Sequence, residues 1–270
     1  MKTKSLMNHY SVTFLFAFAA SSFAAGFDGI TEPIEQAKVG FTIPGKIDSI
    51  WVKEGDAVHK GDTLMNLVKT EDELRVRVTK ITADDISEVT SAKVKMDTYE
   101  KDYQATKKLF ETSTSISAEA VWEKELNYKV AKAEWETAKV NKSKDSLEYD
   151  LARAQLEKQY LLAPFDGEIV AIHKHKSESV EALTPVLEIA DVKTCRLTAY
   201  IIANKANGLK IGQQVKLQLN GGNNARIKKG KIEFISPVVD KSSMLRTVKV
   251  IFDNQDKAVE PGVTGKILFQ

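Results

Sequence analysis

The sequence has 270 residues, a length that suits two or three small domains with buried cores. Its 39 lysines and arginines nearly balance its 37 aspartates and glutamates, and the first 24 residues contain two of the lysines and no acidic residue. The rest of the chain is formally neutral. A neutral chain gives no support for nucleic-acid binding, which requires a basic surface, and we expect no nucleic-acid partner.

The first 24 residues have the pattern of a cleaved export signal. Two lysines precede an apolar stretch at 12–20, and Ser22 and Ala24 place small residues at −3 and −1 of a cut before Ala25. The apolar stretch is shorter than the about 20 residues that span a bilayer. The single cysteine, Cys195, lies in an alternating apolar stretch and is predicted to be a buried strand thiol, so no lipid-accepting cysteine follows the cut.

The amino-acid composition and apolar pattern of the remaining chain change twice. Residues 39–68 contain short apolar runs separated by Gly-containing turns, which predicts strands. Residues 71–160 contain neither Gly nor Pro and are rich in helix-forming residues, and only the polar cluster at 111–117 interrupts them. This pattern predicts one helix ascending, a turn and one helix descending. Strand-like texture resumes at Ala163 and continues to the end.

The two predicted helices carry apolar residues that could form a coiled-coil seam. On the descending helix the spacing is close to 3.5 residues, which is typical of a two-stranded coiled coil. Its residues are Trp122, Leu126, Ala133, Val140, Leu147, Leu151, Ala154 and Leu161. The ascending helix offers Leu74, Val78, Ile81, Val89, Met96, Tyr99 and Tyr103. We expect these two sets to face each other along arms of about 60 Å, at 1.5 Å per residue.

The β segments on either side of the helices match each other at an offset of 122 residues without a gap. The aligned pairs are Gly45 with Gly167, Ile47 with Ile169, Ile50 with Ile172, Asp56 with Glu178, Val58 with Val180, Leu64 with Val186 and Leu67 with Ile189. Neither segment could bury an inner face alone, so we expect the two to pair as halves of one β sandwich. Both ends of the helical hairpin must then leave the same small domain.

The order of these motifs resembles that of periplasmic adaptor subunits of bacterial efflux pumps, also called membrane fusion proteins of the HlyD/RND adaptor family. Residues 45–64 look like the first half of a lipoyl/biotinyl-type domain, and residues 163–169, Ala-Pro-Phe-Asp-Gly-Glu-Ile, look like its second half. The segments 209–215, 230–237 and 260–265 are similar to the β-barrel of that family. The second half departs from the family pattern, because Lys-Ser-Glu replaces a Gly-Glu turn at 176–178.

The resemblance implies a mostly β fold with a long α-helical hairpin. A split lipoyl-like β sandwich would be interrupted by a coiled-coil hairpin and followed by a C-terminal β-barrel. The expected boundaries are residues 1–24 for the signal peptide, 39–69 with 162–190 for the lipoyl-like domain, 70–161 for the hairpin, and 25–38 with 191–270 for the barrel. The membrane-proximal domain that many family members carry after the barrel is not expected.

The resemblance also implies a partner-binding tip. Adaptors of this family that engage TolC-like channels usually carry an Arg, a Leu and a Ser at the hairpin tip. Here the Arg position falls on Ala105 or Thr106, with two lysines following. The residues assigned to partner contact are Lys107, Lys108, Leu109, Phe110, Ile116 and Ser117.

The implied partners are an inner-membrane transporter, an outer-membrane channel of the TolC type and further copies of the chain in a ring, often a hexamer. A resistance-nodulation-division (RND) transporter is the first choice, and an ABC-type exporter is the second. The implied location is the periplasm. A free periplasmic coiled-coil scaffold or chaperone is the alternative from another class, but it would need neither the repeat nor the barrel segments.

Several other functions are disfavoured by the residues themselves. The sequence has no motif for nucleophilic hydrolysis, zinc-dependent proteolysis or phosphate binding, so we expect no enzyme activity. A lipoyl carrier needs a modifiable lysine between its halves, but here Lys69 leads into a helix, so no cofactor is expected. His173 and His175 would share one strand face, but no third ligand completes a metal site, and a solvated strand end is the preferred interpretation.

Overall fold

A computed structural model describes residues 26–112, 115–219 and 225–268 of the chain. The predicted signal peptide and the cut before Ala25 lie outside these residues. The chain divides into two compact units. One unit contains the residues up to Glu32 and those from Lys193 onward, and the other contains Pro33–Val192.

The elements alternate between strands and helices in the order that the sequence texture predicts. They are β1 (Gly26–Val39), β2 (Gly45–Ile50), β3 (Ala57–Val58), β4 (Thr63–Leu67), α1 (Thr70–Asp84), α2 (Ser87–Thr112), α3 (Ala118–Glu157), β5 (Tyr160–Leu162), β6 (Gly167–Ile172), β7 (Ser179–Val180), β8 (Leu187–Ile202), α4 (Ala203–Ala206), β9 (Gln214–Leu219), β10 (Arg226–Ile235), β11 (Leu245–Asp253) and β12 (Thr264–Leu268).

Strands from both sides of the helices form one two-fold arrangement in the second unit. β2 pairs with β7, with Gly45 opposite Val180. β6 pairs with β3, with Gly167 opposite Val58. A shift of 122 residues converts the first pair into the second, so the repeat seen in the sequence corresponds to a repeat in space. The two halves therefore pair with each other, as expected from the fact that neither has a complete inner face.

The shared core of this arrangement draws on both halves. Its buried residues are Phe41, Ile47, Val58, Leu64, Met65, Leu67, Leu161, Ala163, Ile169, Val180, Val186, Leu187 and Ile189. The repeat-related residues Ile47 and Ile169 lie within it, and so do Leu67 and Ile189, which sit opposite them on β4 and β8. Leu161, which was predicted to end the helical seam, belongs to this β core instead.

The ascending arm is two helices, where one was predicted. α1 ends at Asp84 and α2 begins at Ser87, and the backbone of Asp85 between them is extended. The Asp85 carboxylate accepts the Ser87 backbone N–H at 2.9 Å. Hydrogen bonding by Ser87, with a smaller effect of Lys142, lowers the pKa of Asp85. The break was missed because it contains no Gly or Pro, and its stabilising groups include a side chain from another helix.

That side chain is Lys142 of α3. Its ammonium donates to the backbone carbonyls of Ala83 and Asp85, the latter at 2.7 Å. These carbonyls belong to the end of α1, where backbone acceptors have no partner within the helix. A cation is also favourable at the negative end of the helix dipole. Lys142 thus caps α1 across the hairpin.

The seam of α3 lies on the face opposite to the predicted one. The residues that face α1 and α2 are buried or half-buried and follow a three- and four-residue spacing: Val121, Lys124, Tyr128, Ala131, Trp135, Ala138, Lys142, Asp145, Tyr149, Ala152 and Leu156. Ala138 is only 2% exposed, whereas Leu147 and Leu151 are 68% and 70% exposed. Val140 is two residues from Ala138, which places it about 200° around the helix. The predicted seam on α3 was therefore wrong.

The predicted seam of the ascending arm was partly correct. Met96 is buried, and the Tyr103 ring stacks on Tyr128 of α3 with centroids 6.2 Å apart. In α1, by contrast, the predicted Leu74, Val78 and Ile81 are exposed. The prediction failed because α1 and α3 each carry apolar residues on two opposite faces. The larger aliphatic residues lie on the face that points away from the partner helix.

The first unit is a closed β-barrel. Its strands follow the order β1-β12-β9-β10-β11-β8, and β1 also pairs with β8. Alternate residues of β8 point inward, as a strand with one buried face requires. Cys195, Leu197, Ala199 and Ile201 are fully buried, which confirms the prediction for Cys195.

Enlarging Ala138 should destabilise the hairpin, because its side chain fills the space between closely packed helices. We expect Ala138→Leu to lower the free energy of unfolding by about 1–3 kcal/mol. Val140→Ala should change it by less than about 0.5 kcal/mol, as is usual for a surface site. Urea unfolding of dilute protein, followed by far-UV circular dichroism, distinguishes the two. Equal effects would contradict the assignment of the seam.

Removing the ammonium of Lys142 should loosen the junction between α1 and α2. We expect Lys142→Met to cost about 1–3 kcal/mol, because two carbonyls lose a charged donor. Amide hydrogen exchange should accelerate in residues 82–90 and stay unchanged near the ends of α3. Lys132→Met, at an exposed position, is the matched control. Unaltered exchange at the junction would show that the carbonyls are satisfied without Lys142.

Candidate partner-binding site at the hairpin tip

The tip comprises residues 107–112 at the end of α2 and residues 115–117 before α3. Residues 113 and 114 lie outside the described residues. Lys107 and Lys108 are exposed in the last turns of α2, beside Leu109 and Phe110. Leu109 is 53% exposed and Phe110 is 43% exposed. The structure therefore brings two cations and two apolar side chains to one exposed segment.

Ser117 has a structural role at the start of α3. Its backbone is extended, and its hydroxyl oxygen accepts the Ala120 backbone N–H at 3.2 Å. This is the N-cap geometry, which satisfies one of the donors left free at a helix start. Glu119 in the first turn adds a carboxylate where the helix dipole favours negative charge. Ser117 positions α3, and the half-buried Ile116 precedes it.

The tip can recognise a surface that offers both carboxylates and apolar groups. Within the described part of the chain, neither Lys107 nor Lys108 forms an ion pair. Their charges are available to a partner, and burying Leu109 and Phe110 would add a hydrophobic contribution. Sequence reasoning left out Glu111, which is also exposed here. Its position in the sequence directly after Phe110 could have indicated that it belongs to the tip.

Lys69 and the two histidines have other surroundings. The Lys69 ammonium binds Glu73 at 2.6 Å and lies 5.5 Å from the centre of the Tyr160 ring. The hydrogen bond to Glu73 is the main cause that raises the pKa of Lys69. His175 Nδ1 lies 3.1 Å from a Glu178 carboxylate oxygen, while the backbone N–H of His173 donates to Val186. The two histidines therefore do not converge on one ligand set.

In residues 26–112, 115–219 and 225–268, no group of three or more His, Cys, Asp or Glu side chains is arranged to hold a metal ion. Over the same ranges, no helix combines the length and the apolar character needed to cross a bilayer.

Comparison with known proteins identifies the barrel. Residues 196–270 match the family described as "RND MFPs, beta-barrel domain", in which MFP stands for membrane fusion protein. The chain is 22% identical over 225 residues to the cobalt-zinc-cadmium resistance protein CzcB of Cupriavidus metallidurans, covering 82% of this chain and 40% of CzcB. The chain spans about half the length or less of the curated relatives that it matches.

Solved structures share the fold. MacA from Actinobacillus actinomycetemcomitans superimposes with a TM-score of 0.76 at 22% identity, covering 91% of this chain and 78% of that one. The membrane fusion protein Spr0693 from Streptococcus pneumoniae gives a TM-score of 0.59 at 15% identity, covering 91% of this chain and 98% of that one.

The barrel and the helix-interrupted β core are thus elements of a fold that these two solved structures share. Residues 196–270 therefore form a β-barrel domain of the RND membrane fusion protein family.

Replacing Ser117 with Ala should shorten or fray the start of α3. We expect a loss of about 1 kcal/mol in the free energy of unfolding, as for other N-cap hydroxyls. Ser117→Asp should retain the cap and most of the stability. Urea unfolding followed by circular dichroism provides the measurement. Full stability of the Ala variant would show that the hydroxyl does not cap the helix.

Proposed function

We propose that the chain is the periplasmic adaptor of an efflux system and links an inner-membrane transporter to an outer-membrane channel. The observation that supports this most directly is the RND-type barrel in the same chain as a helical hairpin whose two ends enter one β core. An RND transporter is the preferred partner because the barrel family bears that name. An adaptor of an ABC-type exporter is the second candidate.

The two-part β core fits the proposed lipoyl-like domain. In this proposal the domain comprises residues 39–69 and 162–190, the hairpin residues 70–161, and the barrel residues 25–38 and 191–270. The role of the core is mechanical. Because Leu67 and Gln159 at the two ends of the hairpin are joined by a backbone hydrogen bond of 2.9 Å, the arms start side by side. The core thereby fixes the base of the hairpin.

The hairpin would carry the tip away from this base. α3 has 40 residues, which gives a length of about 60 Å at 1.5 Å per residue. A rigid pair of helices of this length suits the bridging of two partners better than the chemistry of a small molecule. We propose that the tip contacts the channel, that the barrel contacts the transporter, and that several copies assemble as a ring in the periplasm after export.

A free periplasmic scaffold or chaperone would use the hairpin alone. The barrel match and the two-fold β core favour the adaptor, because a scaffold requires neither of them.

Charge reversal at the tip tests the channel contact. We expect Lys107→Glu combined with Lys108→Glu to abolish efflux in a strain that lacks the native gene, because four units of charge change at a docking surface. The unfolding free energy should change by less than about 1 kcal/mol, since exposed charges contribute little to stability. Cellular accumulation of a pump substrate and thermal unfolding are the two measurements.

The matched control is Lys101→Glu combined with Lys132→Glu, which makes the same charge change at exposed positions along the arms. It should retain efflux. Full efflux by the tip variant at a normal protein level would contradict contact through these lysines.

A further inference from the structure

The two units of the chain carry opposite charge. The barrel unit, residues 26–32 with 193–270, contains fourteen lysines and arginines against seven aspartates and glutamates, a formal charge of +7. Residues 33–192 carry a formal charge of −7. The neutrality of the whole chain therefore conceals a basic unit. Charge asymmetry of this size between parts of one chain indicates contact with an anionic surface.

The excess positive charge lies toward one end of the barrel. The end formed by the loop at 253–260 is balanced, because its four basic and four acidic side chains cancel. They are Lys193, Arg226, Lys228, Lys257, Glu32, Asp253, Asp256 and Glu260. Lys228 and Asp256 form an ion pair there at 2.6 Å, and the Asn254 backbone N–H donates to Lys193. The rest of the unit contains ten basic and three acidic side chains.

The opposite end of the barrel, which we call the rim, is formed by residues 203–213 and 236–244. One side chain joins these two segments. Arg246 donates from Nε to the Ser236 carbonyl at 2.8 Å and from its terminal nitrogen to the Asn207 side-chain oxygen at 2.7 Å. The Gly212 backbone N–H donates to the Ile232 carbonyl at 2.8 Å, which holds the first segment against β10. The rim is therefore a bonded platform of two loops.

Exposed lysines surround the rim, and we call them the collar. They lie on α4, on β9, on β10 and in the rim loops: Lys205, Lys210, Lys216, Lys231 and Lys241. Within the described residues none of the five forms an ion pair. Lysines act as point charges and lack the two-pronged geometry with which arginine recognises one shaped partner. A collar of this kind suits a diffuse anionic layer of many headgroups.

Two lysines face each other on neighbouring strands beside the rim. Lys216 of β9 pairs directly with Lys229 of β10, and both side chains are exposed. Like charges directly opposite each other on a sheet are destabilising. In the part of the chain that the structure describes, neither lysine has a carboxylate within ion-pair distance. An anionic surface against this wall would remove the repulsion.

The rim also exposes large apolar side chains. Ile211, Val238 and Met244 are 67%, 70% and 61% exposed. Met244 has a left-handed backbone with φ of 57°, held by a hydrogen bond of 2.8 Å from its N–H to the Asp240 carbonyl. Apolar side chains among lysines match a bilayer interface, where acyl chains lie beneath charged headgroups. A nucleic-acid backbone would leave the same side chains in water.

We propose that the rim and its collar bind the headgroup surface of an anionic phospholipid bilayer. The lysines would contact the phosphates, and Ile211, Val238 and Met244 would enter the interface. This contact goes beyond the proposed function, which requires only protein partners. It would hold the barrel unit against the bilayer that surrounds a membrane-embedded transporter.

Vesicle flotation tests the contact. The purified chain from Ala25 is mixed with phosphatidylcholine vesicles that contain or lack phosphatidylglycerol. We expect binding at least about tenfold tighter to the anionic vesicles, weakening as salt is added. Soluble glycerol phosphate at the same phosphate concentration should not displace the chain. Displacement would contradict bilayer binding and show a site for a free phosphate.

Charge removal from the collar provides the second arm. Lys210→Gln combined with Lys231→Gln and Lys241→Gln should lower the partition coefficient on anionic vesicles about 100-fold, since each lysine near the surface contributes about fivefold. Thermal unfolding should be unchanged because these side chains are exposed.

The matched control makes the same charge change on exposed lysines of the hairpin. Lys101→Gln combined with Lys132→Gln and Lys144→Gln should retain most of the binding. An equal loss in both triple variants would show that only the net charge of the chain matters, and would contradict a site at the rim.

A fluorescent label reports whether the rim enters the interface. Val238→Cys is labelled with a polarity-sensitive maleimide dye, and the native Cys195 is fully buried and should not react. Emission should shift to the blue on anionic vesicles. Ile227→Cys is the matched control, because Ile227 is 59% exposed and lies between Arg226 and Lys228 at the balanced end. Its emission should not shift.

Three results would contradict the bilayer contact: no binding to anionic vesicles, equal binding to vesicles without phosphatidylglycerol, or equal shifts from the two labels. Absence of vesicle binding would leave an acidic protein surface as the partner of the collar. The assays contain neither transporter nor channel. The tip variant with Lys107→Glu and Lys108→Glu should therefore bind vesicles even if it abolishes efflux, so failure of either proposal can be recognised separately.

Discussion

The whole structure depends on one constraint: the inner β core of the second unit is complete only when segments separated by the entire hairpin pair with each other. Gly45 lies opposite Val180, and Gly167 lies opposite Val58. Because each half supplies strands that pair with those of the other half, the two ends of the helical insertion must lie side by side. The pairing of the two halves thus requires α3 to run antiparallel to α1 and α2, independently of the contacts between the helices.

Between the arms, small residues determine how closely the helices pack. Ala131, Ala138 and Ala152 are buried and alternate with larger rings such as Trp135. Alanine contributes little buried area, so this inner seam stabilises the hairpin through close packing more than through hydrophobic area. The larger aliphatic residues of α1, and of the part of α3 that lies beside α1, are exposed on the outer faces of the two helices. This distribution is the reverse of that in an isolated two-stranded coiled coil.

The sequence predicted the β architecture more reliably than the helical packing. A strand has a period of two, so the repeat-related Ile47 and Ile169 could face only one core. In a helix with two apolar stripes, the sequence does not determine which stripe faces the partner helix. The prediction favoured the larger side chains, Leu147 and Leu151, over Ala138. The break at Asp85 was beyond local reasoning, since Lys142 is distant in sequence. The structure places the tip residues at the end of α2 and before α3, where Ser117 caps α3, and their contact with a partner stays a prediction.

The junction held by Lys142 has a mechanical consequence. α3 is continuous over 40 residues, whereas the arm beside it is divided at Asp85. An axial load along the hairpin is therefore carried by one uninterrupted ladder of backbone hydrogen bonds in α3, while the divided arm transmits load across its break through side-chain contacts. The hairpin therefore resists bending along the continuous α3. We expect it to bend at the height of Asp85, where the other arm is divided.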